Sequence, residues 1–310
     1  MNVNLNHRPL LYLFPSNLCD AKKVLPNRNA LSSRASSFKC CLTKNGNSSE
    51  PVEVCNEVYL DFVVVELTLH SGFSILKRDM QGEIGSVWSF MGFYVFSIHV
   101  PLSFGGISAA ANILHQLVLD PQTGIFLMLG IQTLELSIVL LFLKCPWKPQ
   151  FDFEDCFQAN KSSKQRSWLL ASVVGVGFLL FVVLITSYIA DRLIGPKDVN
   201  NPFLKENLTS GWSSLTASIL VYCLVTPLLE EVVYRGFLLK SLSSKMKWLP
   251  AVTISSFVFS AAHFSVDNFL QLFVVGFVLG SSFCWSGNLS APVAIHSLYN
   301  ALILLLTYVS

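Results

Sequence analysis

Hydrophobic positions in this 310-residue chain gather into long runs, with few polar positions inside them. Two windows, 79–143 and 249–310, contain no Lys or Arg, although the chain has 21 basic residues. Gaps of that length mark hydrocarbon or its interface. Within and between them lie seven apolar runs, at 85–104, 125–143, 168–189, 212–239, 249–264, 269–285 and 292–309. Each approaches or reaches the roughly 20 residues that a membrane-spanning helix needs. Pro227 falls inside the fourth run, which is too short if cut there, so it reads as one kinked helix. The fifth is short and is expected to extend past His263. The predicted fold is all-α: a polytopic transmembrane helix bundle of about seven spans, one of them Pro-kinked, behind a disordered N-terminal leader. Residues 54–76, apolar but carrying Glu57, Asp61, Glu66 and His70, read as an interfacial or packed segment instead of a span.

Composition agrees with a membrane as the main solvent. Hydrophobic residues make up 52% of the chain and charged ones 13%, about half the charge of an ordinary soluble domain. The 24 Phe residues add more apolar surface than one core of this length needs to bury. A net charge of +2 excludes a nucleic-acid binder built on a large basic field. Eight cysteines form no zinc-type pair of Cys-x-x-Cys motifs, and several sit in or beside apolar runs, so they read as small buried residues.

The distribution of charge is more informative than its sum. Residues 1–49 hold seven basic side chains, seven Ser and one acid, a local balance of +6, which leaves −4 for the rest. A basic, Ser-rich, acid-poor stretch reads as an organelle transit peptide, and the absence of a regular Arg-lined helix favours a plastid address. The expected organisation is therefore a leader at 1–50, an N-terminal membrane region at 51–164 and a second membrane domain at 165–310. Lys77 and Arg78, the group from Lys144 to Arg166, and Lys240, Lys245 and Lys247 fall on one face by the positive-inside rule. The loop 190–211 then lies opposite, and its Asn207-Leu208-Thr209 sequon would matter only in a secretory membrane.

Ionisable groups in the apolar second half are few. Glu230 and Glu231 follow Pro227, and a carboxylate in a bilayer costs roughly 2.5–3.5 kcal/mol on insertion scales. Glu231 and Arg235 are four residues apart on a helix and can pair. Glu230 points about 100° away and lacks that partner. A carboxylate left so in an apolar cavity suits general acid or base work, whereas two acids at an exposed helix start would be merely structural. His263 closes one apolar run, and His296 and Asn300 share a face of the last one. A lone membrane histidine is commonly a helix-to-helix hydrogen bond, but three helices each supplying a Glu or a His suggest a common polar cavity. A transporter using the carboxylate for proton coupling is a weaker alternative, because the polar residues gather in one half of the chain.

Taken in order, Glu-Glu-x-x-x-Arg (Glu230, Glu231, Arg235), Phe-x-x-x-His (Phe259, His263) and His-x-x-x-Asn (His296, Asn300) resemble the CPBP intramembrane endopeptidases. These are the CAAX-processing and bacteriocin-processing proteases, also called the abortive-infection-type family. The resemblance covers roughly residues 165–310 with all three motifs intact, and the segment 85–145 looks like the N-terminal membrane half of plant plastid members. It implies a glutamate-dependent intramembrane endopeptidase of the CAAX type, acting on a membrane or prenylated protein in a chloroplast membrane, envelope or thylakoid. Carried over, Glu230 would activate water with His263 assisting, His296 and Asn300 would stabilise the oxyanion, and Glu231, Arg235 and Phe259 would support the site. Glu and His are also zinc-type ligands, but no metal or other cofactor is expected here. The partners expected are membrane lipid and a protein or peptide substrate. A non-proteolytic scaffold that keeps the cavity for structure and regulates plastid membrane proteins is the alternative.

Overall fold

A computed structural model describes residues 84–115, 119–144, 156–157, 166–193 and 202–309. The leader and the segment 54–76 lie outside them. Among the described residues every regular element is a helix. They are α1 (Ile84–Ile113), α2 (Pro121–Lys144), α3 (Trp168–Leu193), α4 (Pro202–Thr209), α5 (Trp212–Ser243), α6 (Trp248–Ala262), α7 (Phe269–Ser286) and α8 (Ser290–Val309). Six of these are long and apolar enough to cross a membrane: α1, α2, α3, α5, α7 and α8. The chain is a multi-pass membrane protein, and its outer belt, with Phe96, Leu141, Phe181, Leu184 and Leu305 exposed, is the apolar surface that lipid covers.

Three expectations are corrected. The fifth run does not extend past His263: α6 is 15 residues long, ends at Ala262, and turns sharply through Phe264 at φ 51°. The first run is longer than expected, 30 residues. The segment read as a loop contains α4, where Asn207 of the sequon is fully buried.

The kinked fourth span is one continuous helix whose hydrogen-bond ladder widens twice. Over Val221–Val225 and again over Val232–Leu239, bonds shift to the i→i+5 pattern, a local unwinding that recurs at functional sites. Thr226 N–H reaches Val221 O, so the Tyr222 carbonyl falls to residue 227, and Pro227 has no N–H to give. Asn300 on α8 supplies the missing donor, its Nδ2 lying 2.8 Å from Tyr222 O. The second wide turn is braced by α6, where Ser255 donates to Tyr234 O at 2.9 Å.

Close helix approach sets the depth of the interior. Gly276 and Gly280 of α7 form a Gly-x-x-x-Gly stripe against α6. A Cβ at Gly276 would meet Ser256 Cα at 3.2 Å and the Phe259 ring at 3.1 Å, and one at Gly280 would meet Val252 at 3.1 Å. The largest apolar core joins α1, α2, α5, α6 and α7 through Phe90, Tyr94, Val139, Leu229, Val233, Phe259 and Phe283. A smaller one seats α3 on α7 and α8 through Leu179, Leu279 and Ile295.

Candidate active site

The three motifs meet between α5, α6 and α8. Glu231 and Arg235 are fully buried and joined by a 2.9 Å bond from Arg235 Nη1 to Glu231 Oε1. Arg235 Nη2 donates to the Gly276 carbonyl at 3.1 Å, so the guanidinium ties α5 to α7 at the point where the glycine lets them approach. Two buried charges without such partners would cost several kcal/mol each. Glu231 Oε1 also accepts from His296 Nδ1 at 2.9 Å, which carries the same network to α8.

Phe259 is the wedge around which these groups are set. Its ring lies 4.4 Å beneath the Arg235 guanidinium carbon and makes edge contacts with Tyr234, His263 and His296, at 5.3, 4.6 and 6.2 Å between centroids. Such a cation over a ring is worth about 2 kcal/mol when desolvated. Its backbone does a second job: His263, the residue that caps α6, turns its Nδ1 back onto the Phe259 carbonyl at 2.7 Å.

These bonds decide which ring nitrogen of each histidine is free. The Phe259 carbonyl can only accept, so His263 Nδ1 carries hydrogen. Glu231 Oε1, already receiving Arg235, likewise receives His296 Nδ1–H. Both Nε2 atoms are thereby turned toward Glu230, His263 Nε2 3.7 Å from Oε1 and His296 Nε2 3.7 Å from Oε2. At 3.7 Å neither contact is a direct hydrogen bond, and among the described residues Glu230 Oε2 has no hydrogen-bond partner. Glu230 is thus a nearly buried carboxylate, 12% exposed, flanked by two imidazole edges just beyond direct hydrogen-bond reach.

Six of the seven residues singled out by sequence, Glu230, Glu231, Arg235, Phe259, His263 and His296, form this connected cluster. Asn300 donates from Nδ2 to the Tyr222 carbonyl at 2.8 Å, where it braces the helix segment leading into Glu230. Glu, His and His are donors that zinc accepts, and a ligand histidine also has its second nitrogen held in this way. Among the described residues, however, no group of three or more His, Cys, Asp or Glu is set to hold a metal ion. Among the described residues, the Cys156 and Cys284 thiols are buried and that of Cys223 is half-buried.

Four residues next to the site carried no motif. Tyr94 and His99 of α1 both bond Glu135 Oε1 of α2, each at 2.8 Å, and Tyr234 is buried beside Arg235 on α5. The available signal was Glu135 itself, a carboxylate in the middle of an apolar run, the same anomaly that marks Glu230.

A membrane-embedded helical bundle with a glutamate and two histidines gathered in its interior defines the class. Residues 212–302 match the family model described as Type II CAAX prenyl endopeptidase Rce1-like. Through this segment the chain is similar to the CAAX-type membrane endopeptidases. Similar curated proteins include the membrane-embedded CAAX protease MroQ of Staphylococcus aureus (strain USA300), 23% identical over 140 residues, or 43% of this chain and 56% of that one. An uncharacterized 24.3 kDa protein of Escherichia coli is 35% identical over 85 residues, 26% of this chain and 39% of that one. The chain therefore spans about half or less of the length of these relatives. No solved structure matches it.

Proposed function

We propose that the chain is a membrane-embedded endopeptidase in which Glu230 activates a water held between its carboxylate and the Nε2 atoms of His263 and His296. The observation that carries this reading is the pair of 3.7 Å approaches to opposite oxygens of one carboxylate, with both Nδ1 hydrogens committed elsewhere. A water there donates to Glu230 and to one imidazole lone pair, which leaves an oxygen lone pair for attack on a carbonyl. Glu230 takes the water proton as the tetrahedral intermediate forms. A histidine that has taken a second proton from solvent, and so carries hydrogen on Nε2 as well as Nδ1, then faces the oxyanion. Glu231, Arg235 and Phe259 hold His296 and the helix in place, and Asn300 fixes the turn before Pro227.

The substrate class proposed is a peptide bond of a membrane or prenylated protein, entering from lipid, and the reaction is written without a metal. We assign the chain to a chloroplast membrane on the basic, Ser-rich, acid-poor composition of residues 1–49. A fluorescent fusion of residues 1–60 tests that address, and exclusion of the fusion from plastids overturns it. For the chemistry, the full chain is reconstituted in liposomes with a prenylated, quenched-fluorescence peptide. Cleavage by the parent chain and its loss in Glu230→Gln, with the thermal unfolding midpoint kept, is the expected result. Equal cleavage by Glu230→Gln sinks the assignment, and complementation of a knockout by Glu230→Gln would favour the scaffold reading.

A further inference from the structure

Outside the segment 212–302 the fold builds a second acid–base unit beside Glu230. Glu135 is fully buried and its Oε1 accepts both Tyr94 O–H and His99 Nδ1–H at 2.8 Å, while its Oε2 has no hydrogen-bond partner among the described residues. The residues are brought together by helix geometry. Tyr94 and His99 are five apart, which on a regular helix sets them about 140° apart. The ladder over Tyr94–His99 instead runs i→i+5, as in Val100 N–H to Val95 O, and that wide turn stacks them on one face. As at Pro227, the widening comes just before a proline, Pro101.

Glu135 fixes the tautomer of His99. With Nδ1–H given to the carboxylate, Nε2 is the atom that exchanges protons, and Glu135 balances the charge when Nε2 takes a second one. His99 is 18% exposed, whereas Tyr94 and Glu135 are sealed. The unit sits on helices packed against the site: α2 packs against Thr226–Glu231, and Tyr94 shares one core with Leu229, Val233 and Tyr234.

We propose that His99, oriented by Glu135 and Tyr94, is the general acid that protonates the leaving amine. The inference rests on the hydrolytic reading of Glu230. Water gives one proton to Glu230 and its oxygen to the carbonyl carbon. When the C–N bond breaks, its electron pair goes to nitrogen, which takes the Nε2 proton of His99. The second water hydrogen stays on the new carboxyl group, and the proton held by Glu230 returns to His99 through water. One water is consumed and both side chains are restored. Glu230 and His99 thus divide between them the two proton transfers that peptide hydrolysis requires.

The test compares an amide with an ester. The full chain in liposomes is given the prenylated quenched-fluorescence peptide and its analogue with an ester of an acidic alcohol at the scissile bond, a leaving group that departs without protonation. His99→Gln is expected to lower kcat on the amide by about 100-fold or more and to change the ester rate less than about threefold. Glu230→Gln should lose both. Glu135→Gln, which keeps the side-chain shape, should reproduce the amide-selective loss in weaker form and serves if His99→Gln does not fold. Equal losses on amide and ester in His99→Gln, or none on either, overturn the proposal and leave the role of Glu230 standing. Failure of the parent chain to cleave either substrate, or retained cleavage by Glu230→Gln, overturns the hydrolytic reading itself.

Discussion

Asn300 donates its side-chain amide to the Tyr222 carbonyl across the α8–α5 interface at 2.8 Å, filling a place in the ladder that Pro227 cannot fill. The bond holds the turn from which Glu230 projects three residues later, so it links the last helix of the chain to the carboxylate without touching it.

Asn300→Ala should therefore cost about 1–3 kcal/mol by leaving a carbonyl unpaired and should lower cleavage by displacing Glu230. Pro227→Ala returns an N–H to the same place. A double-mutant cycle read by thermal unfolding in detergent should show the Asn300→Ala penalty shrinking in the Pro227→Ala background. Strict additivity would contradict this pairing.

Glu230 and Arg235 should separate cleanly when mutated. Glu230→Gln removes a charge with few partners, so stability should hold or rise while cleavage is lost. Arg235→Met leaves Glu231 buried with only His296, and breaking a buried pair in this way costs about 3–5 kcal/mol. Thermal unfolding of the two variants side by side checks the contrast; a larger loss in Glu230→Gln would count against the burial pattern.

Gly276→Ala sets two effects against each other. Alanine should add about 1 kcal/mol in helix propensity, but its Cβ would meet the Ser256 backbone at 3.2 Å. Overpacking costs about 1–3 kcal/mol, and here the obstacle is backbone, which yields little. Net destabilisation is expected, together with reduced activity, because Arg235 loses its approach to the Gly276 carbonyl. Gly85, with open space around it, provides the control, and Gly85→Ala should be neutral or stabilising.

Cleavage written without a metal should survive chelation. Incubation of the reconstituted chain with 1,10-phenanthroline and then dialysis should leave kcat within about twofold, far inside the 10²–10⁴ range that loss of an acid–base group brings. Loss of activity restored by zinc would move Glu230, His263 and His296 into a ligand role.

Most of the helical plan was legible in the runs of apolar residues, because a helix in lipid satisfies its own backbone and needs only length and composition to declare itself. The ends were less so. Nothing local to residues 249–264 shows that the chain turns at Phe264, or that His263 spends its Nδ1 on the Phe259 carbonyl instead of prolonging the helix. The loop 190–211 likewise hid α4, whose burial of Asn207 depends on neighbours.

The sequence by itself determined which side chains are anomalous in a bilayer and which share a helix face: Glu231 with Arg235, and His296 with Asn300, four residues apart on regular turns. Its ordered motifs also carried the resemblance to the family. Only the tertiary structure decided what those side chains meet. The rotation and depth at which α5, α6 and α8 pack turn both Nε2 atoms to Glu230 and send Asn300 to Tyr222. The wide turn in α1, an i→i+5 ladder that ordinary helix spacing does not anticipate, brings Tyr94 and His99 together on Glu135. Spacing along one helix is local geometry. Contacts between helices depend on where every other helix stops, bends and finds a glycine to approach.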